Sequence, residues 1–255
     1  MPSRTWALVA ADVQEQGATV ETPVRRDGCV PEKAAVTSVL GVDGCPGAWV
    51  GALVQEGRIT WHHGDFAAML DLGADVVAVD IPIGLPTGAA RRRADVEAKA
   101  VLGAQRSSVF FVPPRVVLDA PTQAEATLLS RAAGSVGVSI QTFFILDKVA
   151  EVDALLRARR DAPVVEVHPE VSLRRFGGVP LPPKRTLPGR TARLALLRTW
   201  LPSLALPSPL PGRSRPDDCL DAVACAWSGT RWLTGEAEVL GDETDAEGLP
   251  MRIVV

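Results

Sequence analysis

Tyrosine is absent from this 255-residue chain, histidine occurs three times, and lysine four times. The four lysines (Lys33, Lys99, Lys148 and Lys184) stand against 23 arginines, a bias that reads as genome composition rather than adaptation to a ligand. Basic residues do not outnumber acidic ones, and the net charge of -3 excludes non-specific, charge-driven binding of nucleic acid while leaving room for a local basic groove. The four cysteines (Cys29, Cys45, Cys219 and Cys225) have no CxxC spacing, so neither a zinc knuckle nor a redox motif is supported. Cys219 and Cys225 fall in an apolar helical pattern and read as small buried hydrophobes. No apolar run reaches the ~18 residues that a membrane span needs. A charged n-region followed by an apolar h-region is also missing, so no signal peptide is read and a cytoplasmic protein is expected. There is no Walker-type Gly-x-x-x-x-Gly-Lys-Ser/Thr and no internal repeat.

What is present is an ordinary globular composition, 47% hydrophobic and 22% charged, in a chain long enough for one full core. Residues 1–35 are mixed and pattern-free, broken by Gly17, Pro23, Gly28 and Pro31. They read as an N-terminal appendage, either disordered or an over-extended start, with a short strand or helix at 6–13 as the alternative. Residues 36–255 are expected to form a single domain. It opens with strands at 36–43, 48–54 and 58–62 in an antiparallel meander. A short helix at 65–72 leads to a continuous apolar strand at 75–80, the pattern of a strand buried on both faces. Helices are predicted at 89–102, 121–132, 139–159, 171–176, 191–201 and 216–234. A further strand is predicted at 163–170, a loop at 105–115, Pro-rich connections at 181–189 and 203–216, and a small hairpin or edge strand in the tail. The alternation implies a mixed-sheet α/β layered fold, in which sites gather beyond the strand ends.

Carboxylates mark those ends. In Gly41-Val42-Asp43-Gly44-Cys45-Pro46-Gly47 an apolar strand closes on Asp43 before a tight turn, with Leu40 and Val42 on one face and Val39, Gly41 and Asp43 on the other. Alone, Asp43 reads as a turn-initiating residue. A second apolar strand also ends in a lone acid, Asp80, and Glu166 lies within a third. On the closing helix Asp218 and Asp221 lie three apart and project from one face, while Asp217, next to Pro216, reads as a first-turn acid favoured by the helix dipole. Asp217 and Asp221, four apart, form the alternative pairing. Leu220, Val223, Ala224 and Trp227 read as core. If four carboxylates meet, each close pair repels by roughly 4 kcal/mol at about 4 Å and an effective dielectric near 20, so protons or cations must join them. A set of Asp oxygens with little His or Cys suits Mg²⁺ or Mn²⁺. Scattered caps and turn residues are the plain alternative. Of lower weight are His168 as ligand or base, Glu170 as a helix-start acid, and Arg106, Lys184 and Arg185 as phosphate binders. The run Arg91-Arg92-Arg93 reads as a solvated helix face.

Taken in order, the motifs form a recognisable set. Gly41-Val42-Asp43-Gly44-Cys45-Pro46-Gly47 with Trp49 is followed by Asp80-Ile81-Pro82-Ile83-Gly84-Leu85 and by Arg106-Ser107-Ser108-Val109-Phe110. Glu166-Val167-His168-Pro169-Glu170, Lys184-Arg185-Thr186, Asp217-Asp218-Cys219-Leu220-Asp221-Ala222 and Gly248-Leu249-Pro250-Met251 complete it. Over about residues 38–255 the chain resembles the family labelled domain of unknown function 429, regarded as RNase H-like nucleases. The resemblance implies an RNase H-like mixed five-stranded sheet of order 3-2-1-4-5 with helices on both faces. It implies catalytic, metal-binding roles for Asp43, Asp80, Asp218 and Asp221, with Glu166, His168 and Glu170 as secondary, family-specific candidates. RuvC-type resolvases have a similar Asp-x-x-Asp on the closing helix but usually Glu where this chain has the shorter Asp80. The expected activity is phosphodiester hydrolysis of nucleic acid with Mg²⁺ or Mn²⁺. A small-molecule phosphohydrolase or nucleotide-binding enzyme on the same fold is the alternative, as is a non-catalytic interaction module. Oligomeric state is left open.

Overall fold

The computed structural model describes residues 37–255. The expected appendage at residues 1–35 lies outside the described residues. Three strands, β1 (Ser38–Cys45), β2 (Ala48–Gln55) and β3 (Arg58–Gly64), form the antiparallel meander. Cys45 pairs with Ala48, leaving Pro46 and Gly47 as the connection. Gly47, at φ 76°, takes the left-handed position that a Pro-Gly type II turn requires. On its other edge β1 pairs in parallel with β4 (Val76–Val79), and β4 pairs in parallel with β5 (Val164–Glu166). The sheet order is therefore β3-β2-β1-β4-β5, the order 3-2-1-4-5 that the family resemblance implies.

Helices cover both faces. Leu40, Val42, Val77 and Val79 pack with Phe66 and Met69 of α1 (Phe66–Leu70) and with Val149, Val152 and Leu156 of α5 (Leu146–Ala158). On the opposite face lies α8 (Pro216–Thr234), of which Cys219 to Gly229 are all buried. It packs with α6 (Pro169–Gly177) and α7 (Leu187–Trp200). Small residues form the seam between α8 and the sheet. A Cβ on Gly41 would lie 1.9 Å from the Ala222 carbonyl oxygen and 2.4 Å from the Ala226 nitrogen, so β1 and α8 meet backbone to backbone. The alternation along β1 puts Asp43 on this same face, which is how a strand end and the closing helix come together.

The remaining helices are α2 (Arg93–Leu102), α3 (Gln123–Ala132) and α4 (Ile140–Phe143), and β6 (Val239–Thr244) and β7 (Pro250–Val254) form the expected tail hairpin. Several boundaries differ from expectation. The long helix at 139–159 is two helices, although no Gly or Pro interrupts it. Phe143 packs into a satellite core with Val117, Ala126 and Val138, whereas α5 docks on Trp49, and one straight helix does not serve both. The predicted strand at 163–170 stops at Glu166 because Pro169 already opens α6. Helix α7 starts at Leu187, earlier than predicted, because the Thr186 side chain caps the Gly189 N–H.

Candidate active site

Asp43 lies two residues before the end of β1, Asp80 directly follows β4, and Asp221 lies one turn above the start of α8. The three carboxylates interact with one another and with the ammonium of Lys184. Asp43 is 8% exposed and Asp221 fully buried. One Asp43 oxygen accepts the N–H of the next residue, Gly44, at 2.8 Å, rather than the one two residues on that the turn-residue reading expects. Burial, then repulsion from Asp80 and Asp221, pushes the Asp43 carboxyl well above the ordinary carboxylate range. Burial raises Asp80 as well, opposed by the charge of Lys184 and by that of His168 when its ring is protonated. Asp221 is pushed up to about 7 by burial, with Lys184 acting against the shift. Its Oδ2 accepts from the Lys184 ammonium, while its buried Oδ1 has no partner. Burial disfavours the Lys184 charge, but the three carboxylates more than offset this and hold the ammonium protonated.

The fourth acid, Asp218, acts on Asp43 and feels the charge of Lys184, but its side chain is engaged as a helix cap. Asp218 Oδ2 accepts the Arg215 N–H at 2.8 Å and closes a capping box at the start of α8. Asp217 lies in the first turn as expected, and Asp218, read from the sequence as a site acid, also makes the cap. With Arg215 as N-cap, the third helical position is residue 218, the one that reaches back. Counting from Pro216 makes that legible. Asp217 is buried in the same turn.

Asp43 and Asp80 line a cavity of about 710 Å³, whose walls include Gln105, Ser107, Ser108, Lys148, His168, Glu170, Lys184 and Arg185. His168 Nε2 lies 3.3 Å from the Ser108 carbonyl oxygen. A carbonyl only accepts, so Nε2 carries the proton and a neutral ring keeps Nδ1 as an acceptor, which is buried and unpartnered. Glu170 lies in the first turn of α6 and is paired at 2.6 Å with Arg193, itself almost fully buried. Glu166 is held by both oxygens at 2.7 Å to Arg92 and also accepts the Ile83 N–H at 2.7 Å. It clamps the segment after Asp80 and is already paired. Arg92 is 1% exposed, which corrects the reading of Arg91-Arg92-Arg93 as a solvated face. Its side chain turns inward because α2 starts only at Arg93, so Arg92 is an extended N-cap residue. Arg106 is exposed; its neighbours Gln105, Ser107 and Ser108 line the cavity and its own side chain does not.

Sequence reasoning passed over Lys148. Its stem crosses Gly44, where a Cβ would lie 2.9 Å from Lys148 Cδ. Its ammonium sits 4.3 Å from the Trp49 ring centroid and donates to the Ala48 carbonyl. One turn along α5, Glu151 accepts from Trp49 Nε1 at 2.9 Å and from the Phe66 N–H at 2.7 Å, fixing the helix against the hairpin. The scarcity of lysine was the available signal: two of four lysines in an arginine-rich chain are at this cavity.

Among the described residues no three His, Cys, Asp or Glu side chains are arranged as a ready-made metal site. The positive charge paired with Asp221 is that of Lys184. Also among the described residues, no helix is long and apolar enough to cross a membrane.

The chain belongs to the family described as Protein of unknown function (DUF429), whose model matches residues 41–246. That span includes every acid of the site. Nothing among curated proteins or solved structures matches the chain.

Proposed function

We propose that this member of the family is a metal-dependent hydrolase of phosphodiester bonds in nucleic acid, with its reaction centre at Asp43, Asp80 and Asp221. One observation carries the reading: the closing helix's Asp221 pairs with Lys184 at the edge of a cavity that the strand-end acids Asp43 and Asp80 also line. Mutually repelling acids, Asp43 and Asp221 buried and Asp80 half-buried, destabilise a fold unless their charge is used or compensated. The donor set fits a hard divalent ion, because it is made of carboxylate oxygens and includes the unpartnered Oδ1 of Asp221. Asp43, Asp80 and Asp221 would hold Mg²⁺ or Mn²⁺, with Asp218 at the margin. When bound, such an ion supplies Lewis-acid polarisation of a phosphoryl oxygen and lowers the pKa of water.

The chain's own groups do the rest. Lys148, Lys184 and Arg185 line the cavity and attract a phosphate electrostatically. When the His168 ring is neutral, its Nδ1 is a free acceptor and suits a role in taking a proton from water. The Arg92–Glu166–Ile83 clamp holds the segment beyond Asp80 in place. Ser107, Ser108 and Gln105 add hydrogen-bonding groups to the cavity lining.

A second reading, a nucleotide or small phosphoester as substrate, is favoured by the cavity itself. About 710 Å³ is within the range of small-ligand pockets and would house one nucleotide. Purified protein incubated with single-stranded, duplex and branched nucleic acid, and with nucleotides, in Mg²⁺ or Mn²⁺, separates the readings. Polymer cleavage that is lost in Asp43→Asn supports the nuclease. Turnover of nucleotides alone supports the second reading. Equal cleavage by wild type and variant refutes both, and a protein without specific Mn²⁺ uptake is the interaction module.

A further inference from the structure

We infer that the Lys184 ammonium is a tethered counter-ion at the carboxylate centre, and that a divalent ion enters by displacing it. The inference rests on the metal-hydrolase reading above and adds how the site is kept before the ion arrives. Asp221 is the anchor. It is fully buried, its Oδ2 is taken by Lys184, and its Oδ1 faces no donor. A buried carboxylate with one orphaned oxygen is half-satisfied, and the missing ligand is a cation or donor. Lys184 hydrogen-bonds Asp221 and is also within electrostatic range of Asp43 and Asp80, with which it lines the cavity.

The way Lys184 is mounted suits an exchangeable cation. It lies on the connection between α6 and α7, after Pro182 and Pro183 and before the Thr186 cap. Thr186 also donates to the Pro183 carbonyl at 2.8 Å, so the backbone on both sides of Lys184 is pinned. The side chain is 37% exposed and lines the cavity, while its tip reaches an acid that is 0% exposed. Withdrawing that tip needs side-chain rotation alone, with no helix or strand moving. A divalent ion at Asp221 would repel the ammonium at hydrogen-bond range, so the two do not share the position.

Residue choice points the same way. With 23 arginines available, a guanidinium would bind the carboxylate bidentately and hold it. An ammonium is a compact point charge on a flexible stem, closer to a metal ion in kind. Once displaced, it stays on the cavity wall with Lys148 and Arg185, where a substrate phosphate would meet it.

The test uses full-length protein stripped with EDTA and titrated with Mn²⁺, read by calorimetry and by the paramagnetic resonance of free Mn²⁺. Lys184→Met is expected to bind Mn²⁺ about tenfold more tightly than wild type, since the ion no longer competes with a tethered charge. In EDTA the variant should melt below wild type, and Mn²⁺ should raise its Tm by more. Asp221→Asn should lose the uptake. A second measurement needs no variant: acetylation of wild type by an amine-reactive ester, mapped by mass spectrometry. Lys184 should be labelled several-fold faster with Mn²⁺ than in EDTA, with Lys99 as internal reference. Equal or weaker binding by a folded Lys184→Met, or unchanged Lys184 labelling in a wild type that takes up Mn²⁺, overturns the displacement and leaves the metal reading standing. Absence of saturable Mn²⁺ uptake by wild type overturns both.

Discussion

Replacing Gly41 by alanine tests the geometry on which the site depends. The added methyl would sit 1.9 Å from the Ala222 carbonyl oxygen and 2.4 Å from the Ala226 nitrogen. Both obstacles are backbone of α8, so no rotamer change relieves the clash. Restoring ordinary contact near 3.4 Å from 1.9 Å requires the helix and strand to separate by about 1.5 Å. Overpacking of this kind costs about 1–3 kcal/mol where side chains give way, and the rigid obstacles place this case at about 3 kcal/mol or more. At about 2–4 °C per kcal/mol for a domain of this size, Tm should fall by roughly 6–12 °C. The displacement also acts on function, because Gly41 is two residues from Asp43 and its obstacle, Ala222, directly follows Asp221. A shift of about 1 Å between reacting groups can cost 10²-fold, so Mn²⁺ uptake should weaken even in the folded fraction. Gly229→Ala is the control on the same seam, two turns further along α8. Its methyl meets side-chain atoms of Val39 and Ala78 at 2.7 and 2.9 Å, and it gains helix propensity. It should lose less stability and leave Mn²⁺ uptake intact. Thermal melts and calorimetric titrations of both variants decide the matter. If Gly41→Ala melts within a degree or two of wild type and takes up Mn²⁺ normally, α8 does not set the position of Asp221 as described.

Three further outcomes are expected. Arg92→Met should destabilise by about 3–5 kcal/mol in urea unfolding, because it leaves the Glu166 carboxylate buried without its cation, and the double replacement Arg92→Met/Glu166→Met should recover part of that loss; a loss under about 1 kcal/mol would remove the clamp. Asp245→Asn should cost about 3 kcal/mol, since its carboxylate accepts from the Leu85, Leu249 and Glu247 N–H groups and pairs with Arg115, binding the tail hairpin to the segment after β4; an unchanged urea midpoint would refute that role. Finally, Asp43, Asp80 and Asp221 hold their protons more tightly in the folded state than in the unfolded chain, chiefly through burial. Their stabilising contribution is complete below the ordinary value of 3.8 and is lost as pH rises through about 7, so the Tm measured in EDTA should decline across that window. Mn²⁺ should flatten the decline, and a Tm in EDTA that climbs across the window would contradict the burial of these acids.

Some of the site was legible in the residues. Asp43 and Asp80 end apolar runs, and alternation along β1 assigns Asp43 to the Gly41 face without any structure. That Gly41 faces α8 rather than α5 depends on which helix covers which side, a long-range choice that no local pattern states. Arg92 misled because a run of three arginines is usually solvated, and only a partner 74 residues away makes one of them core. Lys148 was invisible as chemistry because its role comes from Gly44 across the sheet, not from its own helix. Residue 218 could have been recognised as the cap by counting from Pro216.

By itself the residue pattern determined the meander of β1 to β3, the two-face burial of β4 and the placement of acids at strand ends, while the sheet order came only through the family resemblance. The first three follow from short-range rules: side-chain period, turn chemistry and the need to cover apolar strands. Tertiary structure alone decided which acids lie within range of one cation, that Lys184 is that cation, and that Glu166 and Glu170 already have arginine partners. Electrostatic partnership depends on distances of a few ångströms between groups far apart in the chain, and only the packed fold sets those distances.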